Sequence, residues 1–154
     1  MKLNDAGIIV QKTWQNLPIH YSHIELDAFV IMPNHVHGII SINVGAGLQP
    51  ALINGTNMRA GHDIWVRAGH DRVRAGHRPA PTGGYPLSGI VRAFKTFSAM
   101  NINKFRGTRY VSVWQRNYYE HIIRNEYNLN RIREYIENNP LKWEFDQENP
   151  KNFF

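Results

Sequence analysis

Cysteine is absent from the 154 residues. That excludes a disulfide framework and any thiolate metal site, so a bound metal has to take His, carboxylate or amide ligands. Long hydrophobic runs are missing as well: none approaches the ~18 apolar residues of a bilayer span, and no membrane partner is expected. The opening MKLNDAGIIVQ holds no extended apolar stretch of the kind a secretory leader needs, so the sequence predicts a cytoplasmic, nucleoid-associated protein. Acid is the scarcer charge, 12 Asp and Glu against 18 Lys and Arg, and the formal charge of +6 points to a polyanionic partner, most often nucleic acid.

With 42% hydrophobic and 12% aromatic residues, the composition is that of one globular domain, here spanning 1–154. Asp5 to Leu17 carries Ile8, Ile9, Trp14 and Leu17 at helical spacing behind Asn4 or Asp5 as cap. His23 to Met32 alternates and then turns continuously apolar, as a strand does on entering a sheet interior, and His35 to Asn43 reads as a second strand. Only Pro33 and Asn34 separate them, which predicts an antiparallel hairpin. Leu87 to Phe105 has helical periodicity with Ser88 as cap, and Tyr110–Trp114 and Tyr118–Ile123 favour strand. Glu126 to Asn139 reads as a helix capped by Asn125 and stopped by Pro140, completing an α+β pattern.

The pattern lapses between these elements. RAGH occurs at Arg59–His62, Arg67–His70 and Arg74–His77, in a stretch rich in Gly, Ala, Arg and Pro, and copies this short have no apolar face of their own to bury. Residues 45–84 are therefore expected to be a disordered repeat insert. The insert also holds about half of the net charge, since Arg59 to Arg78 contains five arginines against two aspartates.

Five of the eight histidines lie either in this insert or in MPNHVHGII. His62, His70 and His77 are unevenly spaced and have no rigid frame to fix ligand geometry. His35 and His37 are different: the strand period of two sends both to one face, about 7 Å apart along the strand, where they can converge on one divalent cation or serve as core histidines. On the last helix Tyr135 and Asn139 lie one turn apart at the margin of the Leu129, Ile132 and Ile136 stripe. Residue by residue they read as an interfacial aromatic and a C-terminal cap, or as a nucleophile beside a metal ligand.

MPNHVHGII, WQRNYYEHIIRNE and REYIENNPLKW, in this order, resemble the motifs of the REP-associated tyrosine transposases, relatives of the single-tyrosine HUH transposases of small insertion sequences. The resemblance implies a ferredoxin-like α+β domain, an antiparallel sheet with helices on one face. It implies that His35 and His37 hold Mg²⁺ or Mn²⁺, that Asn139 completes the metal site, and that Tyr135, five residues before the proline of NP, attacks a DNA phosphate. His121 of YYEH falls in a further motif, as a site residue or additional ligand. The expected activity is cutting and rejoining of single-stranded DNA beside palindromic repeats through a 5′-phosphotyrosine, by a monomer or homodimer. Candidates for the DNA surface are Arg92, Lys95, Lys104, Arg106 and Arg109, with Trp114 and Tyr118 for stacking on bases; a solvated basic face is the plainer reading of those charges. Tyr118 and Tyr119 are the other candidate nucleophiles, but they lack an amide one turn away.

Members of that family carry a first β-strand ahead of the helix that here begins near Asp5. The expected sheet accordingly lacks a strand that would flank the histidines, which makes a non-catalytic DNA-hairpin-binding remnant the alternative to an active strand transferase.

Overall fold

Asn4 starts the first helix, its Oδ1 accepting the Gly7 N–H at 2.9 Å, while Asp5 in the first turn and Lys12 in the last complement the helix dipole. The computed structural model describes residues 2–43, 62–68, 86–145 and 149, with the backbone alone described for 62–68. Helix α1 (Asp5–Gln15) is followed by a single turn, α2 (Leu17–His20), then by strands β1 (Ile24–Ile31), β2 (Val36–Ile42) and β3 (His62–Ala68). Helix α3 (Leu87–Arg106), strand β4 (Tyr119–Ile123), helix α4 (Glu126–Lys142) and a 3₁₀ turn at Trp143–Phe145 complete the order. The fold is α+β.

The four strands form one sheet in the order β1-β2-β3-β4. β1 and β2 are the expected antiparallel hairpin, closed by a Met32 N–H donated to His35 O at 2.8 Å. β3 runs parallel to β2, and β4 parallel to β3, so the sheet is mixed where an antiparallel one was expected. β3 also falls inside the stretch expected to be a disordered insert. Among the repeats only this segment, HDIWVRA, carries three consecutive strand-favouring residues, Ile64, Trp65 and Val66, and its backbone pairs on both sides. The rest of the insert, with His70 and His77, lies outside the described residues.

Helices cover both faces of the sheet, not one. α1 and α3 pack on the first face through Val10, Trp14, Ile90, Val91, Phe94 and Ile102, against Ile24, Val36 and Ile40 of the sheet. α4 packs on the second through Leu129 and Ile136, against Ile39 and Ile123. This double cover explains why Phe29 to Met32 is continuously apolar although β1 is an edge strand: both faces of its end are needed.

Three local expectations are revised. α3 begins after Pro86, whose preset φ suits a helix entry, and Ser88 makes no cap. Tyr110–Trp114 is irregular rather than a strand: Tyr110 adopts φ +61° and Asn103 Nδ2 donates to Val111 O at 2.8 Å, a side-chain partner where a strand would have a backbone one. α4 runs through Pro140 to Lys142, because a missing N–H so near the helix end removes only one backbone bond.

Candidate metal and nucleophile site

The hairpin turn sets His35 at the mouth of β2 and His37 two residues into it, both buried and both on the α4 face. Their Nε2 atoms are 2.9 Å apart, with ring centroids at 4.5 Å. Asn34 orients the first ring across 2.7 Å: with Asn34 Oδ1 accepting, the neutral His35 ring has its proton on Nδ1 and its Nε2 lone pair towards His37. Two imidazole nitrogens this close need something positive between them. A single proton suffices, and a divalent ion would use both lone pairs.

α4 supplies the other side groups. Its entry is fixed by Asn125, whose Oδ1 accepts the Asn128 N–H at 2.8 Å, and its apolar margin then carries Tyr135 and Asn139 over the histidines. The Tyr135 ring lies edge-on to His37 with centroids 5.3 Å apart, while nearly half of Tyr135 stays exposed at 46%. Asn139 is buried, its Nδ2 3.3 Å from His37 Nε2. Its Oδ1 is also buried and accepts no hydrogen bond among the described residues. Leaving an acceptor in that state costs about 1–3 kcal/mol. A half-turn of the amide exchanges O and N, and then presents the oxygen to the same point as the imidazoles. Trp143 closes the His35 side at 6.1 Å between ring centroids, and its carbonyl accepts from the buried Asn149 Nδ2 at 3.0 Å.

The residues present therefore fit a divalent cation: two convergent imidazoles, a buried amide oxygen with no donor among the described residues, and an accessible phenol beside them. Among the described residues there is no cluster of three or more His, Cys, Asp or Glu. The donor set of His35, His37 and Asn139 is formally neutral, so a bound M²⁺ would keep its charge for an anionic ligand.

The remaining sequence candidates are placed elsewhere. His121 is exposed on β4; by strand alternation with the buried Ile123 it shares the α4 face, but it stands level with Ile39, two strand spacings or about 10 Å from β2. Arg92, Lys104 and Arg106 are exposed on α3 and Arg109 in the loop after it, on the side of the sheet away from α4. Lys95 holds that loop in place, donating to Gln115 O at 2.9 Å and to Asn117 O at 2.6 Å; burial lowers its pKa. Trp114 is packed on Phe94 and its indole N–H donates to Ser98 Oγ at 2.9 Å, so the ring serves the core. Tyr118 donates to Glu120 Oε2 at 3.0 Å, and burial first, then Glu120, raises its pKa, which disfavours the phenolate a nucleophile needs. Sequence reasoning passed over Asn34, Trp143 and Asn149. Asn34 adjoins HVH, but its Pro-Asn context signals only a turn; the other two have no local signal.

The chain is 38% identical over 147 residues to an uncharacterised protein of Haemophilus influenzae, a match spanning 96% of this chain and 71% of the relative. No family model and no solved structure matches the chain.

Proposed function

We propose that this chain, which belongs to the same family as the Haemophilus influenzae protein, is a metal-dependent tyrosine transposase-like enzyme that cuts and rejoins single-stranded DNA. The observation carrying the proposal is the convergence of four side chains from two ends of the sequence. His35 and His37 come from the hairpin, Tyr135 and Asn139 from a helix about a hundred residues later, and they meet within hydrogen-bond and ring-contact distance. The same four positions are the ones the transposase resemblance assigns.

His35, His37 and Asn139 would hold Mg²⁺ or Mn²⁺, which supplies charge to polarise a phosphoryl oxygen and offset the transition state. Tyr135 provides the nucleophile. Its Oη gives up its proton and forms a bond to phosphorus as the bond from phosphorus to O3′ breaks, and O3′ takes up a proton in exchange to leave a 3′-hydroxyl. The half-exposed position of Tyr135 admits a strand, while the buried histidines stay fixed beneath it. Because the phosphodiester energy is kept in the phosphotyrosine, attack by a second 3′-hydroxyl reverses the step and joins a new end without ATP. The exposed Arg92, Lys104, Arg106 and Arg109 lie on the opposite side of the sheet from Tyr135, so their charge supports holding single-stranded or hairpin DNA there and not placement of the strand that reacts. Among the described residues no helix is long and apolar enough to cross a membrane.

The test is incubation with labelled single-stranded palindromic DNA and Mn²⁺. A covalent adduct that survives denaturation and disappears in Tyr135→Phe is expected. DNA binding without any adduct would replace the proposal with the non-catalytic hairpin-binding reading.

A further inference from the structure

The register of the β1–β2 hairpin shifts between Leu26 and Phe29, a bulge in the edge strand. Its effect is visible in the packing. Ile24 and Leu26 face the α1/α3 core, and so do Phe29 and Ile31, although strict alternation from Leu26 would turn Phe29 away. The change of phase leaves Asp27 and Ala28 together at the bulge, with Ala28 and Val30 facing α4.

Asp27 is not an idle bulge residue. Its Oδ1 accepts the Ala28 N–H at 2.7 Å, which holds the carboxylate in place, and also the Arg133 Nε–H at 2.9 Å. Its Oδ2 accepts from Arg133 Nη2 at 2.6 Å, completing a two-pronged contact across 106 residues of sequence. Arg133 Nη1 is steadied in turn by Asn130 Oδ1 at 3.1 Å, one turn back on α4.

Arg133 lies two residues before Tyr135 and six before Asn139. The apolar contact beneath α4 is small, mainly Leu129, Ile132 and Ile136, and apolar burial is non-directional. A slip of one residue along such a seat would move Tyr135 by about 1.5 Å and turn it by about 100°. A guanidinium fork on a carboxylate is directional in both respects.

We propose that the Asp27–Arg133 pair, presented by the β1 bulge, is a positioning device that sets the height and rotation of α4, and with them the placement of Tyr135 and Asn139 over His35 and His37. The proposal rests on reading that cluster as a metal and tyrosine centre. It makes the hairpin a two-point support: the turn end carries the histidines, and the middle of β1 grips the helix that must meet them.

The experiment compares wild-type protein with Asp27→Asn, Arg133→Lys and the exchanged pair Asp27→Arg/Arg133→Asp. Three quantities are read: Mn²⁺ affinity, single-turnover adduct formation at saturating Mn²⁺, and amide exchange. Asp27→Asn is expected to weaken Mn²⁺ binding and slow adduct formation, each by about tenfold or more, with β2 amides still protected. Arg133→Lys, which keeps the charge but loses the fork, should fall between, and it serves as the test if Asp27→Asn does not fold. The exchanged pair should recover part of the loss. Variants that bind Mn²⁺ and form adduct as the wild type does overturn the proposal. If the wild type itself does neither, the reading of the centre fails, and amide exchange decides the clasp alone: faster exchange across Glu126–Lys142 in Asp27→Asn supports it, and unchanged exchange overturns it.

Discussion

The two faces of the sheet are built on opposite principles. On the α1/α3 face, Trp14 stacks on Phe29 with centroids 4.3 Å apart, and Phe94 meets both edge-on at 5.5 and 6.4 Å. On the α4 face a few aliphatic side chains share the space with two histidines, an asparagine and the Asp27–Arg133 pair. One face holds the molecule together by area, which tolerates small displacements. The other holds a few polar atoms by direction, which does not. The packed core and the polar cluster are separable here, because β2 sends alternate residues to each: Val36, Gly38 and Ile40 to the first, His37 and Ile39 to the second.

The largest expected effect is on the aromatic face. Trp14→Ala should cost about 3–5 kcal/mol in denaturant unfolding while the protein that remains folded binds Mn²⁺ as before. Loss of Mn²⁺ binding in folded Trp14→Ala would break the separation. Gly38→Ala is the sharper probe because Gly38 adjoins His37 in sequence. A Cβ there would lie 2.7 Å from Trp14 Cη2 and 2.9 Å from Phe29 Cδ2, so the rings must move, at a cost of about 1–3 kcal/mol, with Mn²⁺ affinity again retained.

On the other face, Asn34→Ala should leave unfolding nearly unchanged and weaken Mn²⁺ binding by about tenfold, since it frees the His35 ring from its fixed tautomer. A drop in stability without a change in affinity would return Asn34 to a turn role alone. Tyr118 offers a pH test on the first face. Its raised pKa means that the folded state keeps a proton which the unfolded chain loses above about pH 10, so its contribution is present below that value and lost as pH climbs. Tyr118→Phe should flatten the alkaline fall in melting temperature relative to wild type. Smallest of all, Lys104→Ala or Arg106→Ala should each lower the salt slope of DNA binding by about one unit; no change would make these residues a solvated face.

Much of the fold was legible along the chain, and for a local reason. The Asn4 cap, the two-residue turn after Met32 and the Asn125 cap of α4 involve residues within a few positions of one another, and periodicity reports them directly. The pairing of Tyr135 with Asn139 was legible in the same way, as one helical turn. Ile64, Trp65 and Val66 were not, because the surrounding RAGH copies carry no strand signal and the pairing partners, Gly38 to Ile40 on one side and Glu120 to Ile122 on the other, are distant in sequence. The bulge at Asp27 was hidden for a related reason: a phase change in an apolar run is visible only when both faces have something to receive it.

By itself, then, the sequence determined which residue types could act and which of them share an element: two histidines on one strand face, a tyrosine and an asparagine on one helix margin, no thiol anywhere. That the strand face and the helix margin are the same place, and that His121 and the basic residues of α3 lie apart from it, follows from packing alone. Periodicity encodes direction relative to an element's own axis, whereas the meeting of two elements depends on how a whole sheet is covered, and that is settled by packing across a hundred residues of chain.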